Sequence, residues 1–206
     1  MDKATGLQEL KDEMLADRSL PLTTNLVFGE GDPDGGVLFI GEAPGQMEDQ
    51  LVRPFVGRSG QLLRKNIREV GWKEEEVYIT NIVKRRPPDN RDPLPDEIEA
   101  YKPYLERQIE IINPRVIVPL GRFSMNYFLP EAKITRDQGK VFRSTRHLIV
   151  PMFHPAVALR NPAYMKEFQD NFKKLPKVVA QADKLLAERP LKKSSAVYKP
   201  VQKGLF

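Results

Sequence analysis

Two stretches far apart in the chain carry residue types that could do chemistry together: Gly41-Glu42-Ala43-Pro44-Gly45, followed by Glu48, and His154-Pro155-Ala156. Glu42 and Glu48 can accept hydrogen bonds or hold a water, and Gly41 and Gly45 let backbone approach a ligand closely. The His154 imidazole can donate to an oxygen that gains negative charge. Neither stretch decides anything alone. Glycine and proline also shape ordinary turns, and a histidine at a strand end is often only a satisfied polar group. Phe55, between Pro54 and Gly57, is either a core aromatic or a ring that stacks on a flat ligand. Asn81 either caps a turn or presents a donor and an acceptor together, as reading a base edge requires.

The elements that must position these residues follow from the apolar pattern. Residues 37–40 precede the acidic loop and residues 148–153 precede His154, and both runs read as buried strands. Residues 77–81 and 116–121 give two more. Helices alternate with them: 3–17 with Leu7, Leu10 and Met14 on one face, then one capped by Ser59 and closed by Gly71. A third opens at Pro95-Asp96-Glu97 with Tyr101, Leu105 and Ile109 as its stripe, a short one spans 123–128, and the last carries Tyr164, Phe168, Phe172 and Leu175. Alternation of this kind predicts an α/β fold, a three-layer α/β/α sandwich around a central four-stranded parallel sheet. Ligands bind such sheets outside the carboxyl ends of the strands, where both opening stretches lie.

A chain of 206 residues suits one core, so 1–188 is expected to be a single domain and 189–206 a flexible basic tail. A net charge of +5 is compatible with a polyanionic partner. The sequence has no cysteine, which excludes disulfides, thiolate catalysis and cysteine-ligated metal centres; two histidines are too few for a histidine-rich metal site. No apolar run reaches the roughly 18 residues of a membrane span. The polar start Met1-Asp2-Lys3 is unlike a signal peptide, so a cytoplasmic protein is expected. No Lys-Ser/Thr follows the glycines and no strand–GxGxxG–helix order is present, so the phosphate loop and the dinucleotide fingerprint are both missing.

Taken in order, several blocks resemble family 4 of the uracil-DNA glycosylases. Gly41-Glu42-Ala43-Pro44-Gly45 with Glu48-Asp49 and Pro54-Phe55-Val56-Gly57-Arg58 is similar to that family's first motif. Val77-Tyr78-Ile79-Thr80-Asn81-Ile82-Val83-Lys84 resembles its second-strand block, Pro87-Pro88 with Asn90-Arg91 and Pro93 its proline loop, and His154-Pro155-Ala156 with Leu159-Arg160-Asn161-Pro162 its last motif. The resemblance runs from about residue 28 to 162.

It implies base excision repair: removal of uracil from damaged DNA by hydrolysis of the N-glycosidic bond of a flipped-out nucleotide, leaving an abasic site. By resemblance, Phe55 stacks on the uracil, Asn81 reads its N3–H and O4 edge, and Gly41 and Ala43 line the pocket. Glu48 stands near the C5 side, and His154 donates to O2 of the leaving anion. Better-known uracil glycosylases have a water-orienting aspartate where this chain has Ala43, which leaves Glu42 as the residue to position water. Leu159 would fill the gap left by the flipped base, and Arg58, Lys84, Arg86, Arg91 and Arg160 would meet phosphates. A non-catalytic relative that binds uracil or abasic DNA is the competing reading.

One departure is plain. The family ordinarily holds an iron–sulfur cluster on four cysteines, and those positions fall here on Met14, Asp17, Arg85 and Tyr101. The cluster is therefore expected to be absent. Packing of Met14 on Tyr101, with an Asp17–Arg85 ion pair, is the expected replacement. Covalent capture of uracil-DNA, known from a related subfamily with an inserted histidine loop, is not expected, because Lys84-Arg85-Arg86 runs straight into Pro87. The last residues, Gln202-Lys203-Gly204-Leu205-Phe206, resemble a sliding-clamp-binding peptide, and the protein is expected to act as a monomer, located with the nucleoid.

Overall fold

The apolar runs become one sheet. The computed structural model describes residues 2–187 and the backbone of 199–200. Its strands are β1 (Glu30–Gly31), β2 (Val37–Gly41), β3 (Tyr78–Asn81), β4 (Val116–Pro119), β5 (Phe142–Arg143), β6 (Leu148–Ile149) and β7 (Lys199–Pro200). Its helices are α1 (Lys3–Ala16), α2 (Gln46–Leu51), α3 (Arg58–Glu69), α4 (Pro95–Ile112), α5 (Arg122–Phe128), α6 (Ile134–Asp137), α7 (Pro155–Ala158), α8 (Pro162–Phe172), α9 (Leu175–Ala180) and α10 (Ala182–Ala187).

The sheet order is β1-β3-β2-β4-β6-β5-β7. Its centre, β3-β2-β4-β6, is parallel throughout, as the α/β pattern predicts. Three two-residue antiparallel strands widen it at the margins. Strands that short carry no periodicity, so only their pairing reveals them. The expected tail lies outside the described residues apart from 199–200, and so does the terminal peptide 202–206.

Each central strand is buried along its whole length, without alternation, because both faces of the sheet are covered. Along β2, Val37 and Phe39 join Leu63, Ile67, Phe168 and Phe172 on one side. Leu38 and Ile40 join Leu10, Met14, Tyr101 and Leu105 on the other. The three layers are thus α3, α8 and α9, the sheet, and α1, α4 and α5. Several boundaries differ from the sequence reading: the strands expected over 116–121 and 148–153 end at Pro119 and Ile149. The helix predicted from Ser59 begins at Arg58 with Gly57 as its cap, and Leu175 belongs to α9 rather than to α8.

From β2 the chain moves to β3 on one side and then crosses to β4 on the other. The order therefore reverses beside β2, and the crevice at the carboxyl ends of these strands is the place where such sheets take ligands.

Candidate active site

A cleft of about 510 Å³ opens at that crevice, lined among others by Glu42, Glu48, Phe55, Asn81, Gly121 and His154. The two stretches singled out in the sequence share its walls because β2 and β6 flank β4 in parallel.

The pocket floor is set by sheet register. Gly41 pairs with Asn81, which brings the amide alongside the first loop. A Cβ on Gly41 would stand 2.3 Å from Asn81 Oδ1 and 2.5 Å from Phe55 Cζ, so only glycine allows the three groups to meet. Asn81 is 2% exposed, and its side chain makes no hydrogen bond to another described residue. A buried amide left open toward a cleft is suited to bind a ligand edge.

Phe55 is held in the left-handed region at φ 53°, costly for a residue other than glycine. The Glu48 carboxylate stabilises the turn just beyond it: Oε1 accepts from Val56 N at 2.9 Å and Gly57 N at 2.8 Å. Glu48 thus lies in the cleft wall with one oxygen fixed on backbone. The Phe55 and His154 rings stand 5.9 Å apart between centroids, tilted by 33°.

Glu42 and His154 face each other across Gly121. A Cβ on Gly121 would lie 2.3 Å from Glu42 Oε1 and 3.1 Å from His154 Cβ, and this glycine has φ 95°. The missing side chain leaves space beside the Glu42 carboxylate. Burial pushes the Glu42 pKa up to about 7, aided by nearby Asp92, although the Phe123 amide lies 3.4 Å away. Burial pushes His154 down to about 4, with Arg160 adding repulsion and Glu48 opposing it. His154 Nδ1 accepts from Ala156 N at 3.2 Å. The proton of the neutral ring therefore sits on Nε2.

Ala43 and Arg160 also line the cleft. Arg91 lines it too, gripped by Glu97 through contacts of 2.9 and 2.5 Å. Arg58 is exposed at the start of α3, outside the cleft lining. Leu159 is half-buried against the core, and the exposed apolar residue at the mouth is Val157. Lys84, grouped with the phosphate contacts in the sequence reading, is wholly buried and bonded to Thr80 Oγ1 (2.5 Å) and Gln108 Oε1 (2.6 Å), so it cannot meet a phosphate. Gly121 and Val157 escaped the sequence reading. Gly121 had a usable signal, a glycine closing the third strand at the ligand-binding edge.

The four positions where relatives would carry cysteine do not fit an iron–sulfur cluster. Met14 and Tyr101 are fully buried in one apolar cluster. The Tyr101 hydroxyl donates to Pro21 O at 2.7 Å, and the Arg85 guanidinium bonds both Tyr101 and Thr24 O. The expected Asp17–Arg85 ion pair does not form. Asp17 instead accepts from Ser19 N at 2.8 Å and from the Tyr104 hydroxyl at 2.6 Å, because the helix end turns its carboxylate toward α4. No group of three or more His, Asp or Glu that could hold a metal occurs among the described residues, and none of their helices is long and apolar enough to cross a membrane.

Residues 28–177 match the family described as the uracil DNA glycosylase superfamily. The chain is 43% identical to the type-4 uracil-DNA glycosylase of Sulfurisphaera tokodaii, over 82% of this chain and 83% of that one. It is 40% identical to that of Archaeoglobus fulgidus, over 82% and 92%. To the type-4 enzyme of Thermotoga maritima it is 48% identical, over 67% and 73%.

Proposed function

This chain belongs to the uracil-DNA glycosylase superfamily, beside its type-4 members, and from that premise we infer that its cleft excises uracil from DNA. The protein is a monofunctional DNA N-glycosylase that leaves an abasic site. The observation that carries the reading of the site is the fixed, neutral His154 ring, whose Nε2–H is the one donor the imidazole can offer the cleft.

The bond to be broken is unreachable in a stacked duplex, so the nucleotide must be extruded into the cleft. There Phe55 stacks on the base and the Asn81 amide pairs with N3–H and O4. Cytosine presents the reversed pattern and leaves that amide mismatched. As the bond between C1′ and N1 breaks, its electron pair stays on uracil, with charge on O2. His154 Nε2–H donates to that oxygen, and a preorganised neutral donor does so without giving up its proton. A water held by the Glu42 carboxylate, in the space beside Gly121, bonds to C1′ and passes its proton to that carboxylate.

Glu48 shapes the pocket by holding the turn after Phe55. Arg58, Arg91 and Arg160 meet phosphates, and Leu159 with the exposed Val157 fills the gap in the stack. The enzyme works as a monomer near the nucleoid, with residues 1–188 as its domain. It carries no iron–sulfur cluster, which iron analysis and a visible spectrum test. The peptide 202–206 docks on a sliding clamp, and its deletion should abolish clamp affinity.

Incubation with a uracil-containing oligonucleotide, followed by alkaline cleavage at abasic sites, tests the activity. Breaks at uracil are expected. A folded protein that binds uracil-DNA without producing breaks would replace this reading with that of a non-catalytic relative.

A further inference from the structure

The strained Phe55 requires something to hold it, and Glu48 secures only the amides that follow. The carbonyls on the other side are taken by Arg64, on α3. Its Nε donates to Phe55 O at 2.8 Å and its Nη2 to Pro54 O at 2.8 Å. The same guanidinium is fixed from behind by Glu30 at 2.5 Å and Glu74 at 2.7 Å. Arg53 and Arg68 bond these carboxylates in turn, so each carboxylate bridges Arg64 to a second guanidinium. Arg64 keeps only 11% of its side chain exposed and does not line the cleft. Gly60 permits this close approach, since a Cβ there would lie 2.0 Å from the Phe55 carbonyl carbon.

We propose that Arg64 is a positioning residue for excision, holding the Pro54–Phe55 carbonyls so that the Phe55 ring stays at its place on the pocket floor. The proposal rests on the uracil-excision reading above. A left-handed residue other than glycine persists only where its surroundings over-determine it. One backbone group of each of four consecutive residues is bound here, carbonyls 54 and 55 by Arg64 and amides 56 and 57 by Glu48. The planar fork of arginine can serve two adjacent carbonyls and two carboxylates at once, which the single ammonium of lysine cannot do. Release of the carbonyls would let Phe55 relax, and displacement of a stacking ring by about an ångström costs up to roughly a hundredfold in rate.

The test uses the full chain with Arg64→Lys, Phe55→Ala and the double variant, in single-turnover excision and in hydrogen exchange of residues 54–57. Arg64→Lys is expected to excise uracil roughly tenfold to a hundredfold more slowly, with faster exchange confined to that turn. In the Phe55→Ala background it should add no further loss, because Arg64 acts through the ring. Glu74→Gln, which loosens the guanidinium from behind, should show the same pattern more weakly and stands in if Arg64→Lys does not fold. An unchanged rate, unchanged exchange, or losses that add in the double variant would each overturn the proposal. Absence of excision by the unmodified protein would overturn the functional reading instead, and the exchange measurement would still show whether Arg64 holds the turn.

Discussion

The cleft at the carboxyl edge of the sheet and the packed region between α1 and α4 solve opposite problems. In the cleft, the buried Asn81 side chain has no hydrogen-bond partner among the described residues, Phe55 is strained, and burial moves the pKa values of Glu42 and His154 to about 7 and 4. Between α1 and α4, Met14 and Tyr101 are fully enclosed, and the polar groups nearby are satisfied: Tyr101 by Pro21, Tyr104 by Asp17, Arg85 by Thr24. One region stores unfavourable free energy where a ligand can release it. The other closes its polar groups on protein partners and fastens the N-terminal segment to the body. In this chain the cleft and the packing between α1 and α4 are separate constructions, since Met14, Asp17, Arg85 and Tyr101 all lie outside the cleft lining.

The largest effect should come from the cleft. His154→Ala removes the donor to the leaving oxygen, and single-turnover excision should fall roughly a hundredfold or more while the melting temperature changes little. An equal fall in stability and rate would erase the distinction between the two regions.

Next comes pH. Because water activation requires the Glu42 carboxylate, the excision rate should rise with pH through a midpoint near 7, and Glu42→Gln should be slow and flat across that range. His154 stays neutral above about 4, so it should not shape the profile at physiological pH. The stability consequence has the opposite sign. A carboxyl whose folded pKa is raised contributes stability below its unfolded value of 4.5, and this is lost as pH rises through about 7. Glu42→Gln should therefore raise the melting temperature at pH 8 and leave it almost unchanged at pH 4.

The smallest effects on rate should come from the packed region. Met14→Ala should cost about 2–5 kcal/mol of stability by opening a cavity, and Tyr101→Phe about 1 kcal/mol by losing its bond to Pro21. Excision at 25 °C by the folded protein should stay within about twofold. A large loss of rate in Tyr101→Phe would show that the two regions are coupled, with residues 17–27 the connection: Asn25 bonds Asp49, the neighbour of Glu48.

Much of this could be read before any coordinates. The four central strands, the helices between them and the ligand edge followed from buried runs of β-branched and aromatic residues alternating with 3.6-residue stripes. Glu42, Phe55, Asn81 and His154 were each visible as residues closing strands or sitting in Gly/Pro loops, and they do line one cleft. Lys84 was misplaced, because a lysine in a run of motif residues reads as surface until its neighbours Thr80 and Gln108 are seen to enclose it. The Asp17–Arg85 pair failed for a similar reason: opposite charges at matching positions do not fix which way a helix end points.

Residue type and periodicity are enough to say which residues form the core, which loops meet, and that no thiolate can hold a metal. The left-handed turn at Phe55, the glycine between Glu42 and His154, and Nε2 as the proton-bearing nitrogen emerge only from packing. Those depend on contacts between residues that sequence pattern does not link, such as Arg64 against Pro54 and Phe55 or Gly121 against Glu42. Local pattern sets what can be buried, but only packing sets which atoms remain open to a ligand.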